Sequence, residues 1–390
     1  MQSFDSMSLP ADVAKALKLI KFETPTKIQA QVIPRALEQV DLAACAETGS
    51  GKTAAFVLPT ICHLKNAPGT KALILAPTRE LVQQISEFVQ QILRHSENLK
   101  SVCIVGGADM RKQLRALKRN PRIIIATPGR LNDHLRRGSI NLKTAHTFIL
   151  DEADRMLDMG FAPQIDEVVK HLPTKRQTLL FSATMPAKVK SLTNKYLMAP
   201  EFINTDRKTK PVAAIKQSIV KVDVKQKNDR LLDELIKRQG SVIVFTKTRR
   251  STDRLAKSLK QYGHGVETIH GGRSQGQRNR AIQSFKKGKS RILCATDVAA
   301  RGIDIPHVKH VINFDLPMMS EDYVHRVGRT ARNGATGEAV SFVTPHDHRM
   351  WNSIVKKYHI KGLEVEGGSS DKKKSKSGGK GRPGGRFFKK

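Results

Sequence analysis

The chain is poor in cysteine and in long apolar runs. Its four cysteines, Cys45, Cys62, Cys103 and Cys294, are scattered without a CxxC pair, which argues against a zinc site or a disulfide framework. No apolar run approaches the roughly 18 residues that cross a bilayer, and the N-terminal MQSFDSMSLP lacks the basic and then apolar order of a signal peptide. We therefore expect a cytoplasmic protein without a membrane partner.

Acidic residues are also scarce, with 35 Asp and Glu against 69 Lys and Arg and a formal net charge of +34. Such a positive field indicates a polyanionic partner, with nucleic acid first and an anionic membrane surface second. From Gly367 the chain reads GGSSDKKKSKSGGKGRPGGRFFKK, a composition typical of a disordered tail. This tail carries nine Lys or Arg and one Asp, so most of the positive charge lies elsewhere.

The length of 390 residues predicts two domains of about 150–200 residues each. Nearly continuous apolar segments alternate with helical patterns, which predicts the α/β class with parallel sheets covered on both faces. The strand candidates are 72–76, 101–105, 122–126, 146–150, 177–181, 241–245, 266–270, 291–295, 309–314 and 338–343.

The two halves of this strand set look like copies of each other. Three pairs of segments match in the same order: RIIIAT (122–127) with RILCAT (291–296) and LIL (73–75) with VIV (242–244) at an offset of 169, and IVGG (104–107) with IHGG (269–272) at an offset of 165. These matches predict tandem domains of one fold that join near 204–215. We expect a first domain over 1–205, a second over 216–365 and the tail over 366–390.

The segment AETGSGKT has the features of a phosphate-binding loop between a strand and a helix. Small residues let backbone N–H groups point at phosphate oxygens beside a helix N-terminus. Lys52 is placed to reach the β- and γ-phosphates, and Thr53 to offer its hydroxyl to Mg²⁺. The alternative is a glycine-rich turn, against which the strand–loop–helix context argues. The expected nucleotide-binding residues here are Ala46, where the generic pattern has Gly, and Glu47, Thr48, Gly49, Ser50, Gly51, Lys52 and Thr53.

Three carboxylates follow the apolar run of FILDEADRML, residues 148–157. The carboxyl ends of parallel strands meet at one edge of a sheet, so these acids should face the phosphate loop. We expect Asp151 to hold Mg²⁺, directly or through water, and Glu152 to orient the attacking water. Asp154 reads better as a structural or coupling residue. A solvated acidic loop is the alternative, and it is a poor one in so basic a chain.

Together AETGSGKT and DEAD resemble the DEAD-box family of ATP-dependent RNA helicases, in a compact bacterial form and over nearly all of residues 4–345. The resemblance implies two RecA-like domains with one ATP and Mg²⁺ between them. It implies RNA-stimulated ATP hydrolysis coupled to local unwinding of short duplexes or to remodelling of RNA–protein complexes. The implied partners are single-stranded and duplex RNA, with ribosomal precursors or RNA-turnover proteins, and the implied state is a monomer.

The resemblance also assigns residues to the nucleotide base and ribose. The segment FETPTKIQ (22–29) resembles the adenine-reading segment, with Gln29 on the adenine edge and Phe22 packed near the base. This chain has Lys21 where the family usually has Gly, and Lys27 where it often has Pro. Asp304 is the expected ribose contact. Without the other motifs, a polar loop between helices would be the better interpretation.

Several short motifs resemble the RNA-contacting motifs of the family, and their hydroxyls, glycine N–H groups and arginines suit sugar and phosphate rather than bases. Each motif alone reads as an ordinary strand-to-helix turn. The family often has HGD where this chain has HGG, with Gly272 in the last position. The expected RNA-binding residues are Pro77, Thr78, Arg79, Gly106, Gly107, Thr127, Pro128, Gly129, Arg130, Thr248, Gln275, Arg278 and Thr296.

The segment HRVGRTAR (325–332) resembles the arginine-finger motif. Arg329 and Arg332 lie three apart, so on a helix they share a face and point at the γ-phosphate. Arg326 is expected to contact RNA phosphate or to pair with an acid of the first domain. The alternative is a basic helix that binds RNA. The expected catalytic residues are Lys52, Glu152, Arg329 and Arg332, and the expected coupling residues are Asp154, Ser182, Thr184, His325 and Arg326.

Three other functions compete with the helicase interpretation. One is an RNA-stimulated ATPase that remodels RNA–protein complexes without unwinding, and another is a basic DNA translocase. The third, from a different class, is a non-catalytic RNA-binding chaperone with a degenerate nucleotide site. The chaperone is disfavoured by the intact set of Lys52, Thr53, Asp151, Glu152, Arg329 and Arg332.

Overall fold

The computed structural model describes residues 3–7, 9–46, 49–94, 99–205, 215–297, 308–331, 336–358, 360 and 363–366. Within these residues the chain forms two parallel sheets with helices on both faces, so the predicted α/β class is confirmed. None of the described helices is both long and apolar enough to cross a membrane.

The first half of the chain opens with a short 3₁₀ helix, Phe4–Ser6, and then alternates helices and strands. In order these are α1 (Ala11–Leu19), α2 (Lys27–Leu37), β1 (Leu42–Cys45), α3 (Lys52–Asn66), β2 (Lys71–Leu75), α4 (Arg79–Leu93), β3 (Ser101–Ile104), α5 (Met110–Leu117), β4 (Ile123–Ala126), α6 (Pro128–Arg136), β5 (Ala145–Leu150), α7 (Ala153–Asp158), α8 (Ala162–Val169), β6 (Gln177–Ser182), α9 (Ala187–Tyr196) and β7 (Glu201–Asn204).

The second half repeats this alternation. Its elements are β8 (Ile215–Lys221), α10 (Lys227–Lys237), β9 (Val242–Phe245), α11 (Arg249–Gln261), β10 (Val266–Ile269), α12 (Gln275–Lys286), β11 (Ile292–Ala295), β12 (His310–Asn313), α13 (Ser320–Val327), β13 (Gly337–Val343), α14 (His348–Tyr358) and β14 (Glu364–Glu366). Two further 3₁₀ helices cover Val224–Gln226 and Pro345–Asp347.

The two sheets share one strand order. The first runs β3-β4-β2-β5-β6-β1-β7 and the second β10-β11-β9-β12-β13-β8-β14, with every paired strand parallel. Each strand of the first sheet therefore has a counterpart at the same place in the second. The prediction of two tandem copies of one fold is confirmed by this order.

The ten predicted strands agree with observed strands to within one residue at each end. Strands β7, β8 and β14 were not predicted. Their sequences, EFIN, IKQSIVK and EVE, alternate or interrupt apolar residues with polar ones, as strands at or near a sheet edge do. The predicted join falls between β7 and β8, where 206–214 lie outside the described residues, as does the predicted tail from Gly367 onward.

The strands are hydrophobic on both sides because successive side chains point to opposite faces. In β4, Ile123 and Ile125 pack into the layer that holds α1 to α4, while Ile124 and Ala126 pack into the opposite layer with α6 and α8. The second sheet divides its side chains in the same way between two layers. Each sheet is thus a buried plate, and the loops at its carboxyl edge are free to form a site.

Each of the matching strands β4 and β11 is preceded by an arginine, and the two arginines make equivalent hydrogen bonds. Arg122 donates from Nε to Thr70 O (2.8 Å) and from Nη2 to Leu64 O and Ala67 O (both 2.6 Å). Arg291 donates from Nε to Gly240 O (2.9 Å) and from Nη2 to Leu235 O (2.7 Å). Both guanidinium groups therefore satisfy carbonyls at and just after the C-terminal end of a helix, α3 for Arg122 and α10 for Arg291, each of which leads into the neighbouring strand, β2 or β9.

We expect Arg122→Ala and Arg291→Ala each to lower the free energy of unfolding by about 2 kcal/mol, because carbonyls that are partly buried lose charged donors. Urea denaturation monitored by circular dichroism measures the loss. Arg119→Ala, which removes an exposed arginine three residues away from Arg122, is the control and should cost about 0.5 kcal/mol or less. Equal losses in all three variants would contradict the proposed capping.

Candidate active site

The phosphate loop joins β1 to α3 and is shaped by two glycines. Gly49 and Gly51 have φ values of +85° and +92°, which favour residues without a Cβ, and Gly51 caps the N-terminus of α3. Lys52 begins α3, and its buried Nζ donates to Ala46 O (2.8 Å). Thr53 follows in the same turn. The predicted residues Glu47 and Thr48 lie outside the described residues.

The predicted adenine-reading residue touches this loop directly. The Gln29 side chain is buried, its Nε2 donates to Gly51 O (3.0 Å), and its Oε1 accepts from Thr26 N (2.9 Å). A Cβ on Gly51 would lie 2.4 Å from Gln29 Nε2, so Gly51 is required by space as well as by φ. Phe22 packs between Phe4 and Phe88, with ring centroids 6.4 and 5.8 Å away. The predicted adenine-reading segment and the phosphate loop are thus joined directly, through the hydrogen bond from Gln29 to Gly51.

Asp151 follows β5 and is only 3% exposed. Its Oδ1 accepts from Glu152 N (3.0 Å). Burial raises the pKa of Asp151 to about 7, although the nearby positive charge of Lys52 acts in the opposite direction. A carboxylate buried with so few donors beside a lysine fits a site completed by a divalent cation and phosphate.

Glu152 adopts the left-handed conformation, with φ of +53°, at the start of α7. Burial alone would raise the pKa of Glu152, but Arg155, Lys52 and Arg329 together lower it to about 2. The Arg155 Nη1 lies 2.5 Å from Glu152 Oε2. The sequence analysis did not single out Arg155, although its spacing of three residues from Glu152 was a usable signal.

Asp154 links this strand end to the next one. Its Oδ2 accepts from both the backbone N (3.0 Å) and the Oγ1 (2.9 Å) of Thr184, after β6. Ser182 Oγ donates instead to Thr184 O (2.6 Å). Two of the expected coupling residues, Asp154 and Thr184, are therefore bonded to each other, whereas the Ser182 hydroxyl supports the turn that presents Thr184.

The first domain brings its predicted RNA-binding residues to the same sheet edge. Thr78 caps α4 by accepting from Leu81 N (3.3 Å), and Pro128 begins α6. Arg79 lies across Gly106 and Gly107, because a Cβ on Gly107 would stand 2.1 Å from Arg79 Nη1. Gly107 also has a φ of +74°. The positive φ favours glycine at this position, and any larger residue would also displace the Arg79 guanidinium.

A residue that the sequence analysis missed, Gln113 of α5, holds these segments together. Its buried side chain donates from Nε2 to Val105 O (3.1 Å) and Ala108 O (3.4 Å), on both sides of the glycine pair. Its Oε1 lies 3.5 Å from Arg130 Nε and 3.3 Å from His134 Nε2. One amide therefore sets the position of the glycine loop and of α6. No local pattern marks it.

The second domain repeats the arginine-over-glycine arrangement. Thr248 caps α11 by accepting from Ser251 N (3.1 Å). The next residue, Arg249, lies against Gly271 and Gly272 at the end of β10, and a Cβ on Gly271 would stand 3.0 Å from Arg249 Nη2. The internal repeat thus extends from the strands into the predicted RNA edge. Thr296 follows β11 at the same edge.

Two predicted RNA-binding residues reach across to the first domain. Gln275 Nε2 donates to Glu80 Oε1 (3.1 Å), and Arg278 Nη2 lies 2.9 Å from the same oxygen. Both Glu80 and Arg278 are buried. Glu80 was not predicted to be functional. The sequence feature that could have marked it is an acidic residue in the first turn of α4, next to the predicted RNA-binding residue Arg79. RNA binding by Gln275 and Arg278 stays a prediction, while their contact with Glu80 closes the domains together.

Arg329 was expected to lie on a helix that also carries Arg332, and the structure places Arg329 beyond the helix end. Helix α13 ends at Val327, and Gly328 is followed by a tight turn in which Arg329 N donates to Arg326 O (3.0 Å). Glycine has low helix propensity, which explains the end. Arg329 Nε donates to His325 O (3.2 Å), so the turn still presents Arg329 near enough to Glu152 to lower the pKa of that carboxyl. Arg332 and Asp304 lie outside the described residues.

Arg326 pairs within its own domain, so the expected partner in the first domain is wrong. Its Nε and Nη2 bind the two oxygens of Asp297 (2.5 and 2.8 Å), and its Nη1 donates to Asn313 Oδ1 (3.1 Å) and Asp315 O (2.6 Å). The side chain is almost fully buried. Arg326 therefore fastens α13 to the ends of β11 and β12 and fixes where the turn with Arg329 begins.

Comparison with known proteins agrees with this geometry. Residues 26–192 match the family model described as DEAD/DEAH box helicase, and residues 226–334 match the helicase conserved C-terminal domain. The chain is 44% identical over 356 residues to the DEAD-box ATP-dependent RNA helicase CshA of Bacillus subtilis, a match that spans 90% of this chain and 72% of that protein.

Two solved structures of related proteins superpose on this chain to different degrees. Saccharomyces cerevisiae Dbp5 bound to RNA and ADP BeF3 is 34% identical, covers 94% of this chain and 95% of its own, and has a TM-score of 0.83. A DEAD box protein from Methanococcus jannaschii is 38% identical, covers 94% and 99%, and has a TM-score of only 0.54. The chain therefore superposes more closely on the RNA-bound Dbp5 structure than on the Methanococcus jannaschii protein, although its sequence is slightly more similar to the latter.

We expect Gln113→Ala to raise the RNA concentration that half-saturates ATP hydrolysis about fivefold at unchanged kcat, since it loses roughly 1 kcal/mol of positioning for Arg130 and the glycine loop. RNA titrations of ATPase rate measure this. Gln83→Ala, the same substitution at an exposed position of α4, should leave the titration unchanged. A fall in kcat without a shift of the titration would contradict the positioning role.

Proposed function

Since the chain belongs to the DEAD/DEAH box helicase family, we propose that it is an ATP-dependent RNA helicase. Its RNA-stimulated ATP hydrolysis is coupled to local unwinding of short duplexes or to remodelling of RNA–protein complexes. The observation that carries this proposal is the meeting of Lys52, Asp151 and Glu152 of the first domain with Arg329 of the second. Hydrolysis therefore requires both domains.

The nucleotide is held mainly by the first domain. Gln29 and Phe22 take the base, the backbone of residues 46–53 takes the phosphates at the N-terminus of α3, and Lys52 reaches the terminal phosphates. Among the described residues no group of three or more His, Cys, Asp or Glu is placed to hold a metal alone. Mg²⁺ shared between the phosphates, Thr53 and Asp151 fits this set, and when bound it neutralises phosphate charge.

Three charged side chains then serve hydrolysis. Glu152 stays ionised near neutral pH, because Arg155, Lys52 and Arg329 hold its pKa low despite its burial, so it is ready to accept a hydrogen bond from water and orient it. Arg329 approaches from the second domain as an arginine finger. Arg332 and Asp304 complete the proposed set, as finger and ribose contact.

RNA lies along the carboxyl edges of the two sheets. The contacts come from hydroxyls, glycine backbone and arginines at loop positions, which suit sugar and phosphate and carry little sequence information. Binding should therefore be largely independent of sequence and sensitive to salt. The proposed residues are Pro77, Thr78, Arg79, Gly106, Gly107, Thr127, Pro128, Gly129, Arg130, Thr248 and Thr296, with Gln275 and Arg278 beside them.

ATP and RNA each favour the closed arrangement, because each contacts both domains. Two ligands that prefer the same state tighten each other, and the tightening is equal in both directions. Asp154 and Thr184 connect the acidic pair to the turn after β6, and His325 and Arg326 hold the finger. We propose these four with Ser182 as the coupling residues, joined by Glu80.

For the RNA substrate in the cell, we propose a ribosomal precursor or an RNA that is being degraded in the cytoplasm. Composition supports general RNA binding rather than readout of one sequence, since the chain has one Trp and four Tyr and no added aromatic-rich domain is evident in the sequence. The non-catalytic chaperone is not supported, because the phosphate loop, the acidic pair and Arg329 are all present and assembled.

The first experiment compares ATP hydrolysis with and without single-stranded RNA for the wild type and Glu152→Gln. RNA should strongly stimulate the wild type, and the variant should lose roughly 10²–10⁴-fold in kcat while still binding ATP. Glu167→Gln, at a partly exposed glutamate of α8 paired with Lys170, is the matched control and should behave as the wild type. RNA binding without RNA-stimulated hydrolysis in the wild type would refute the proposal in favour of the chaperone.

A second test addresses closure through Arg278. A non-hydrolysable ATP analogue should tighten RNA binding by the wild type, and Arg278→Ala should reduce that tightening about tenfold or more, because it removes a charge-assisted hydrogen bond worth roughly 1.5–3 kcal/mol. Arg280→Ala, on an exposed face of the same helix, is the control. If Arg278→Ala weakens RNA binding equally with and without the analogue, Arg278 contacts RNA and does not drive closure.

A further inference from the structure

A cavity of about 710 Å³ lies outside the cleft, on the side of the second domain. One wall is α11, which contributes Asp253, Lys257 and Lys260 from one helix face. The opposite wall is β10 and the loop that follows it, with His270, Gly272 and Arg273. None of the functions assigned above uses this cavity.

The charges of the cavity do not balance. Asp253 is engaged inside the wall, where its Oδ1 accepts from His270 Nε2 and Arg273 Nη2, both at 3.0 Å. Within the described part of the chain Lys257 and Lys260 are exposed and have no ion-pair partner, and Arg273 Nε is buried without a hydrogen-bond partner. The cavity therefore presents a net positive surface that suits an anion.

The cavity opens beside the proposed RNA edge. Gly271 and Gly272, against which Arg249 lies, occupy the place that Gly106 and Gly107 hold in the first domain. Gly272 and Arg273, which we call the mouth because they adjoin that edge, line the cavity together with Thr268 of β10, the edge strand of the second sheet. An RNA strand that passes over Gly271 and Gly272 and leaves the second domain on this side would reach the cavity next.

Gly272 keeps the mouth of the cavity free of negative charge. It is the residue that stands where the related pattern HGD has an aspartate. Its N–H donates to His270 Nδ1 (3.2 Å), and a Cβ there would lie 3.1 Å from that same nitrogen. A carboxylate at this position would add a negative charge to the lining that also includes Lys257 and Lys260, and so would offset part of their field.

We propose that the cavity is a phosphate-binding subsite for the RNA strand where it leaves the second domain, formed by Lys257, Lys260 and Arg273. The inference rests on the proposed function and extends its RNA site by one further stretch of backbone. Its ligand is sugar–phosphate rather than base, because the wall supplies charges and no exposed aromatic ring. An acidic peptide has similar chemistry, but only RNA is brought to the mouth by a neighbouring site.

The test measures RNA affinity by fluorescence anisotropy with a non-hydrolysable ATP analogue, as a function of salt. It compares a short single-stranded RNA that fills the cleft with the same RNA extended at its 5′ or its 3′ end. Lys257→Ala/Lys260→Ala should bind the short RNA as the wild type does and lose affinity several-fold for one extended RNA. Its slope of log K against log salt for that RNA should fall by about 1.4, the value for two phosphate contacts on a single strand.

Two matched controls separate a site from general charge. Lys286→Ala/Lys287→Ala removes the same charge from the exposed far end of α12 and should not distinguish short from extended RNA. Gly272→Asp and Gly272→Asn crowd His270 equally, but only the aspartate brings charge. Gly272→Asp should weaken the extended RNA more than Gly272→Asn does.

Three results would overturn the subsite. The first is that Lys257→Ala/Lys260→Ala and Lys286→Ala/Lys287→Ala weaken RNA binding equally. The second is that Lys257→Ala/Lys260→Ala weakens the binding of short and extended RNA equally. The third is that Lys257→Ala/Lys260→Ala loses affinity for a poly-glutamate peptide while its RNA affinity is unchanged, which would identify an acidic peptide as the ligand. A wild type that binds neither RNA would instead refute the helicase proposal itself. The two failures are therefore distinguishable.

Discussion

The structure depends on the burial of two carboxylates at the end of one strand. Asp151 and Glu152 are removed from water, and burial of charge is costly unless cations accompany it. Lys52 and Arg155 supply part of that charge from the first domain, and Arg329 supplies more from the second. The negative charge at the end of β5 thus attracts Arg329 and favours contact between the two domains. A bound nucleotide with its cation would add further contacts to both domains and favour the same arrangement.

The two domains share one sheet topology but contribute different residues to the proposed site. The two copies share strand order, the capping arginines before β4 and β11, and an arginine laid over a glycine pair at the edge. The phosphate loop and acidic pair occur in the first copy, whereas the finger arginine comes from the second. In the proposed function, one scaffold therefore provides an RNA-binding edge from both halves and a single catalytic cleft between them.

The parts of this design that sequence reveals are those encoded by local spacing. Strand ends, the phosphate loop and the Asp151–Glu152 pair follow from short patterns, and the structure places them where parallel-sheet geometry requires. Gln113, Glu80 and the Asp297 partner of Arg326 were missed or misassigned, because their partners are distant in sequence and no periodicity reports them. The helical position expected for Arg329 was wrong because the three-residue spacing to Arg332 says nothing about Gly328, at which the helix has already ended.

The contacts described between Glu80 and the start of α12 are polar, and they have a thermodynamic consequence. Transfer of apolar surface from water changes heat capacity strongly, whereas polar pairing does so weakly and with the opposite sign. Opening and closing through such contacts therefore carries little heat-capacity change, in contrast to unfolding of either core. The equilibrium between open and closed domains should consequently vary with temperature along a nearly straight van't Hoff line, while ionic strength shifts it directly.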